Sequence, residues 1–430
     1  MKYQPKNTIE LEVLLSDESI YLGDIDTSLI TDMSCLFAND IGAKCPNRKD
    51  FSGISKWDVS NVENMSSMFE NCPHFNEDIS SWDTSSVRDM SRMFVRAKSF
   101  NQPLNSWDVS SVENMMDMFI DCASFNQPLD KWDTGSVENM ICMFAGAKSF
   151  NQPLNSWDIG NVDKIYAMFR GCDSLDQSFD AWASDDDRAD FIICELAKFL
   201  GIKAFTEHFK KIKPRAGKYK PKRKWQLSLL ILDENVKLGD IDTSLITDMS
   251  CLFANDIGAK CPNRKDFSGI SNWDVSNVEN MSSMFENCPH FNEDISSWDV
   301  SSVRDMSRMF VRAKSFNQPL NSWDVSSVEN MMDMFIDCVS FNQPLDKWDT
   351  SSVENMICMF AGAKSFNQPL NSWDIGNVDK IYAMFRGCDS LDQNFDAWAS
   401  DDDRADFIIC ELAKFLGIKA FTEHFKKNQA

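Results

Sequence analysis

Across residues 100–124 the apolar side chains fall at Phe100, Leu104, Trp107, Val109, Val112, Met115, Met118, Phe119 and Cys122. Trp107 and Val109 stand two apart, so "SWDV" predicts a short strand. Val112, Met115 and Met118/Phe119 stand three or four apart, so "SSVENMMDMF" predicts a short helix or helical turn. Ser110 with Glu113 fits a capping box at its start, and Ser60 with Glu63 repeats it. "NQPL" supplies a turn. Strand, helical turn and return make one coil of a solenoid.

The same pattern recurs along the chain. Tryptophan stands at Trp57, Trp82, Trp107, Trp132, Trp157 and Trp182, a step of 25 residues. It returns at Trp273, Trp298, Trp323, Trp348, Trp373 and Trp398, shifted by 216, and Trp225 alone lies outside the series. A single coil cannot bury its own apolar side. Stacked coils can, with their strands paired at about 4.8 Å. Columns that would point inward run through Phe75, Phe100, Phe125, Phe150 and Leu175, and through Met68, Met93, Met118, Met143 and Met168. The tryptophans belong with these columns as core, not as a ligand platform.

The repeat sits inside a larger one. Residues 22–211 and 238–427 differ only at Lys56/Asn272, Thr84/Val300, Ala123/Val339, Gly135/Ser351 and Ser178/Asn394. The segments ahead of them, 2–21 and 218–237, have diverged much further. The first coil, 24–37, is a variant with Ile25 and Asp26 where later coils have Trp and Asp, and its loop is longer. At the far end Ser184 is a candidate N-cap followed by Asp185, Asp186 and Asp187. Phe191, Ile192, Cys194, Leu196, Ala197 and Leu200 form an apolar helical face that Gly201 stops. This predicts a helical cap over an exposed edge.

The expected organisation is therefore two capped modules. Residues 1–211 form the first, with a head at 1–21, coils at 22–182 and a cap at 183–211. A basic linker and the start of the second head occupy 212–224. Residues 225–430 form the second, with coils at 238–398 and a cap at 399–427. The fold class is an α/β repeat solenoid in two tandem copies, with short parallel strands on one face, helical turns on the other and helical C-terminal caps.

Composition narrows the function. With 43% hydrophobic and 25% charged residues, the 430-residue chain reads as globular. A formal charge of -23 disfavours nucleic acid or an anionic membrane as partner. No apolar run reaches the roughly 18–20 residues that span a bilayer. The first residues lack a secretory signal pattern, so the default expectation is a cytoplasmic protein. Fourteen cysteines are seven positions present twice. Cys72, Cys122 and Cys172 share a slot that Ala97 and Ala147 fill in between, which fits a small buried side chain. There is no C-x-x-C pair and no zinc spacing, and Cys45 and Cys261 lie in the long loops. The four histidines, His74, His208, His290 and His424, belong to no nucleophile motif, and no phosphate-binding glycine loop appears. The expectation is no enzyme, no cofactor and no metal site.

The aspartate after each tryptophan is the candidate binding face: Asp58, Asp83, Asp108, Asp133 and Asp158, with Asp274, Asp299, Asp324, Asp349 and Asp374. Beside an inward Trp and Val it would point outward, and Ser106 would share that surface. Two roles stay open. Each Asp accepts bonds from backbone N–H groups of the following turn, or the column is an acidic strip for a basic partner or for cations. The column of Asn76, Asn101, Asn126 and Asn151 reads as a turn-satisfying ladder. Nine Lys or Arg between 210 and 224 read as a solvated linker, part of it inherited from the head.

The phrase "FNQPLNSWDVSSVENMMDMF" resembles the repeat of the BspA-like leucine-rich-repeat surface proteins, and "LGDIDTSLITDMSCLF" looks like the leading coil of such arrays. The resemblance implies a leucine-rich-repeat-like solenoid that binds proteins, with a place on the cell surface and no catalytic residues. Three functions follow as expectations. The first is non-catalytic protein binding through the strand face, with tandem duplication raising avidity. The second is an exported surface antigen or adhesin binding host proteins. The third is a cation-binding acidic array. No nucleic acid, membrane insertion or obligate small molecule is expected.

Overall fold

In the computed structural model the described residues are 2–39, 48–182, 187–212, 218–254, 264–398, 411–416 and 418–421. They divide into two compact units, one ending at His208 and the other beginning at Phe209. The candidate N-cap Ser184 with Asp185 and Asp186, the loop cysteines Cys45 and Cys261, the middle of the basic linker and most of the second cap lie outside the described residues.

The first unit opens with helix α1, Thr8–Leu15. Asn7 caps it by accepting a bond from the Glu10 amide, and Leu11 and Leu15 are buried. A single parallel bridge, Tyr3 with Ile25, lays the head along the first coil. The body of coils follows, and α2, Asp187–Leu200, closes the far end. Ile192, Ile193, Leu196, Ala197 and Phe199 are buried along α2. Gly201, at φ 71°, stops the helix, and a short helix α3, Thr206–Lys211, follows. The Phe179 amide donates to Ala204 O at 2.7 Å, which ties the last coil to this cap. The second unit repeats the plan from α4, Lys224–Leu232.

The coils are where the structure corrects the sequence. The parallel strands expected of an α/β solenoid are not formed: among the described residues there is no strand and no sheet, only isolated bridges. "SWDV" makes no bridge at all. It runs between two tight turns, with Trp107 N donating to Leu104 O at 3.1 Å and Val112 N to Val109 O at 3.0 Å. The bridges lie instead within the segment expected to be helical, linking Asp32, Asn64, Asp89, Asn114, Asn139 and Lys164 in succession. That segment is not a helix either. Its N–H groups turn outward to the next coil: Met115 N donates to Asn139 O at 2.9 Å, Asp117 N to Ile141 O at 2.8 Å and Phe119 N to Met143 O at 2.8 Å. Ser110 does not cap a helix; its amide and hydroxyl both donate to Asp108.

The physical reason is backbone handedness. Two slots in each coil hold left-handed residues. One slot runs Ser67, Arg92, Asp117, Cys142 and Ala167 at φ 51–60°. The other runs Asn71, Arg96, Asp121, Gly146 and Gly171, and only its last two members are glycine. A left-handed residue can continue neither a right-handed helix nor an extended strand. The chain therefore advances as linked turns that still present alternate amides to the neighbouring coil. A non-glycine residue in this conformation costs roughly 1–2 kcal/mol. It is held there by the cross-coil bonds on either side.

The core is a set of side-chain columns. Phe69, Phe94, Phe119, Phe144 and Phe169 stack with ring centroids 5.4–5.8 Å apart. Phe75, Phe100, Phe125 and Phe150 form a parallel column at 5.6–6.1 Å. Met68, Met93, Met118, Met143 and Met168 are fully buried, and Leu175, at the end of its column, is half-buried. Each tryptophan of the 25-residue series is buried and also carries a polar bond. Trp107 Nε1 donates to Ile79 O at 3.0 Å, Trp132 Nε1 to Leu104 O and Trp157 Nε1 to Leu129 O, both at 2.9 Å. A ring that fills the core and an N–H that satisfies the preceding coil explain why tryptophan keeps its place.

Candidate interaction face

The ten aspartates are exposed, and each accepts a bond from the amide two residues on. In the first unit Asp58 Oδ1 accepts from Ser60 N at 3.1 Å, Asp83 from Ser85 N at 3.2 Å and Asp108 from Ser110 N at 3.0 Å. Asp133 accepts from Gly135 N at 3.1 Å and Asp158 from Gly160 N at 2.7 Å. The second unit repeats this: Asp274 and Asp324 bind the amides of Ser276 and Ser326 at 3.1 Å, and Asp299 binds Ser301 N at 3.2 Å. Asp349 accepts from Ser351 N at 3.0 Å and Asp374 from Gly376 N at 2.8 Å. So the turn-satisfying role left open above is present throughout the column. Where a serine follows, its hydroxyl often adds a second bond, as Ser110 Oγ does to Asp108 at 2.6 Å.

At Asp108, Asp299 and Asp349 these bonds also lower the carboxylate pKa. The Ser110 hydroxyl and then its amide hold Asp108 below the usual carboxylate range, and Ser301 does the same for Asp299. A carboxylate with a depressed folded pKa stabilises the fold fully above its ordinary value. The contribution is lost as pH falls through the lowered one. Asp108 and Asp299 are therefore charged at neutral pH, and one oxygen of each carboxylate in the column is fixed by the chain itself.

Ser106 lies on the same face, but its hydroxyl donates to Ser80 O at 2.7 Å and so serves the stack. In the second unit a shallow cleft of about 450 Å³ opens on this face. Asp324 and Asp349 flank it, with Asn321, Ser322 and Lys347 around the edge of Trp323. Trp323 itself is only 3% exposed, so the cleft offers polar edges rather than an aromatic platform. Among the described residues no group of three or more His, Cys, Asp or Glu side chains is placed to hold a metal ion.

The asparagine column runs beside the aspartates. Asn101 N donates to Asn76 Oδ1 at 2.9 Å, Asn126 N to Asn101 Oδ1 at 2.9 Å and Asn151 N to Asn126 Oδ1 at 2.8 Å. Gln102, Gln127 and Gln152 donate to the backbone carbonyls of the same asparagines. The slot cysteines point inward: Cys122 Sγ donates to Phe94 O at 3.1 Å and Cys172 Sγ to Phe144 O at 2.9 Å. Burial raises the thiol pKa of Cys122, and that of Cys288 to about 12. Neither is a ready nucleophile. His74 and His290 are exposed.

One arrangement escaped the sequence reading. A single coil carries Arg88, Arg92 and Arg96, and the next carries Glu113, Asp117 and Asp121 in the same slots. They meet in register: Arg88–Glu113 at 2.9 Å, Arg92–Asp117 at 3.4 Å and Arg96–Asp121 at 3.8 Å. Arg92 also grips Glu70 of the preceding coil with two bonds, Nη2 to Oε1 at 2.5 Å and Nε to Oε2 at 3.1 Å. The Glu70 side chain is only 5% exposed. Burial raises the Asp117 pKa against the pull of Arg92. The second unit repeats the set with Arg304–Glu329, Arg308–Asp333 and Arg312–Asp337. The signal that could have found it is opposite charge at the repeat spacing.

The family described as Mycoplasma protein of unknown function, DUF285, matches residues 14–122, 104–198, 230–338, 257–359 and 320–406, which together span most of the chain. The chain belongs to this family. The overlapping DUF285 matches fall on the coils of both units, so the protein is a repeat protein of that family. No curated protein and no solved structure matches the chain. For a DUF285 chain, the exposed aspartate column and the arginine-to-acid rungs are the surface features whose chemistry is defined by the fold.

Proposed function

We propose that the protein binds a protein partner without chemistry, through the exposed face that carries Asp58, Asp83, Asp108, Asp133 and Asp158 and its copy in the second unit. One observation carries the reading. Each carboxylate is locked by the amide two residues on, so the charges stand in a preset row and lose little freedom on binding. A row of fixed acids on a chain of charge -23 suits a basic partner. Two near-copies of the face raise avidity for a partner that is itself repeated.

The test begins with capture on the immobilised full chain. The captured protein is then identified by mass spectrometry and purified. Its Kd is measured for the wild type and for D83K/D108K/D133K. The variant should bind at least tenfold more weakly, and salt should weaken the wild type steeply. An unchanged Kd in a folded variant removes the acidic face from the function.

The likeness of the repeated phrase to BspA-like surface proteins favours a second reading, an exported surface antigen or adhesin. Protease applied to intact cells separates the two. Loss of the chain before lysis supports the surface role; survival until lysis rejects it and places the partner inside.

A further inference from the structure

The two units fold the start of their first coil alike and dress it differently. Tyr21 and Lys237 are equivalent residues with the same extended backbone, at φ -70° and -75°. Each leads into a short helical turn, Leu22–Asp24 or Leu238–Asp240. Gly53 and Gly269, both at φ 87°, lie against these turns. Trp57 Nε1 donates to Leu22 O at 3.0 Å and Trp273 Nε1 to Leu238 O at 2.9 Å, so the same indole supports each.

In the first unit the ring of Tyr21 rests on two glycines. A methyl group on Gly23 would stand 2.5 Å from Tyr21 Cε1, and one on Gly53 would stand 2.6 Å from Tyr21 Cζ. Only glycine lets the ring come this close. Lys56 Nζ stands over the ring, 5.3 Å from its centroid, as a cation favoured by the ring face.

In the second unit the ring and its cation are both replaced, by Lys237 and Asn272, while the glycines stay. Lys56/Asn272 is one of only five differences between residues 22–211 and 238–427. Among the described residues, a methyl group on Gly239 would meet nothing closer than Asn272 Nδ2 and Gly269 Cα, both at 3.6 Å. Lys237 is not among the nearest contacts of either glycine. Lys237 and Asn272 are exposed, and Gly239 and Gly269 are half-buried.

We propose that Gly239 and Gly269 form a subsite for a tyrosine side chain of a protein partner. The first unit identifies the occupant, because its own phenol ring sits on the equivalent floor. Asn272 Nδ2 borders the floor and can donate to a phenol oxygen. The subsite recognises a ring by close backbone approach, so it stands independently of the acidic row.

The full chain, labelled with isotopic nitrogen in its glycines and titrated with N-acetyl-tyrosinamide, reads the subsite by amide resonance. Gly239 and Gly269 should shift and saturate, while Gly23 and Gly53, already covered by Tyr21, should not. N-acetyl-leucinamide should bind about tenfold more weakly, because it lacks the ring. Lys237→Tyr should supply a resident ring and abolish the shifts at Gly239 and Gly269. Tyr21→Ala should uncover the first floor, so that Gly23 and Gly53 respond in turn. Both side chains are exposed, so both variants should melt with the wild type. Silent Gly239 and Gly269 resonances in the wild type overturn the proposal. So does a Lys237→Tyr chain that responds like the wild type, a leucine analogue that binds as well as the tyrosine one, or a Tyr21→Ala chain whose Gly23 and Gly53 stay silent.

Discussion

Trp132→Ala is expected to split the denaturation curve in two. The units are compact and nearly identical in sequence, so the wild type should lose both over one narrow range of urea. Trp132 is 3% exposed and stacks on Trp157 at 5.9 Å, and its Nε1 donates to Leu104 O at 2.9 Å. Removing it opens a cavity and takes from Leu104 O one of the two hydrogen bonds it accepts. Large-to-small changes of this kind cost about 3–5 kcal/mol. In a stack where each coil meets only its neighbours, that loss falls on the interfaces above and below. The first unit should therefore unfold well before the second, which keeps Trp348. Trp132→Phe separates the two contributions: it retains a ring but removes one of the two hydrogen bonds that Leu104 O accepts, for about 1 kcal/mol. A single transition at the wild-type midpoint for Trp132→Ala would rule out the cross-coil role of the indole.

Arg92→Met should come next in size. It leaves the Glu70 carboxylate, 5% exposed, without its two-bond partner. Breaking a fully buried pair costs about 3–5 kcal/mol. The Arg92 side chain is 43% exposed, so solvent reaches the site and the expected loss is about 2 kcal/mol. The double variant E70M/R92M should recover most of it, because replacing both partners by apolar groups of similar volume removes the buried charge along with its counterion. Urea midpoints of the two single variants and the double variant decide this. If E70M/R92M is as unstable as the sum of the single variants, the pair is not coupled and the interpretation fails.

Much of this was legible in the residues. The columns through Phe75, Met68 and Trp57 are core because identical neighbours must stack, and strict spacing reveals that without knowledge of the backbone. The aspartate column was legible too, because a short acidic side chain closes its own turn, whereas the asparagine ladder satisfies the next coil's amides and not its own turn. Secondary structure was not. Apolar spacings of two, three and four within one coil read as strand then helix. Yet Ser67, Arg92 and Asp117 are left-handed, and nothing in a serine, arginine or aspartate announces that. Glycine would have, but among the described residues it occupies these slots only at Gly146 and Gly171 and their copies Gly362 and Gly387. The conformation is imposed by bonds from the adjoining coils, which lie 25 residues away in sequence. The arginine rungs were missed for a related reason: a charge means little until its neighbour in the stack is known.

Those rungs bear on a problem every periodic chain faces. The Trp, Phe, Met and Asn columns offer nearly the same bonds to any coil, so a nascent chain that skipped one coil and paired with the following one would satisfy almost all of them. The level at Arg88, Arg92 and Arg96 breaks that degeneracy. Its complement is Glu113, Asp117 and Asp121. Skipping that coil would instead set the three arginines against Glu138, Cys142 and Gly146, surrendering two of the three charge pairs. The rungs work as an address within an otherwise uniform array, and each unit carries its own copy.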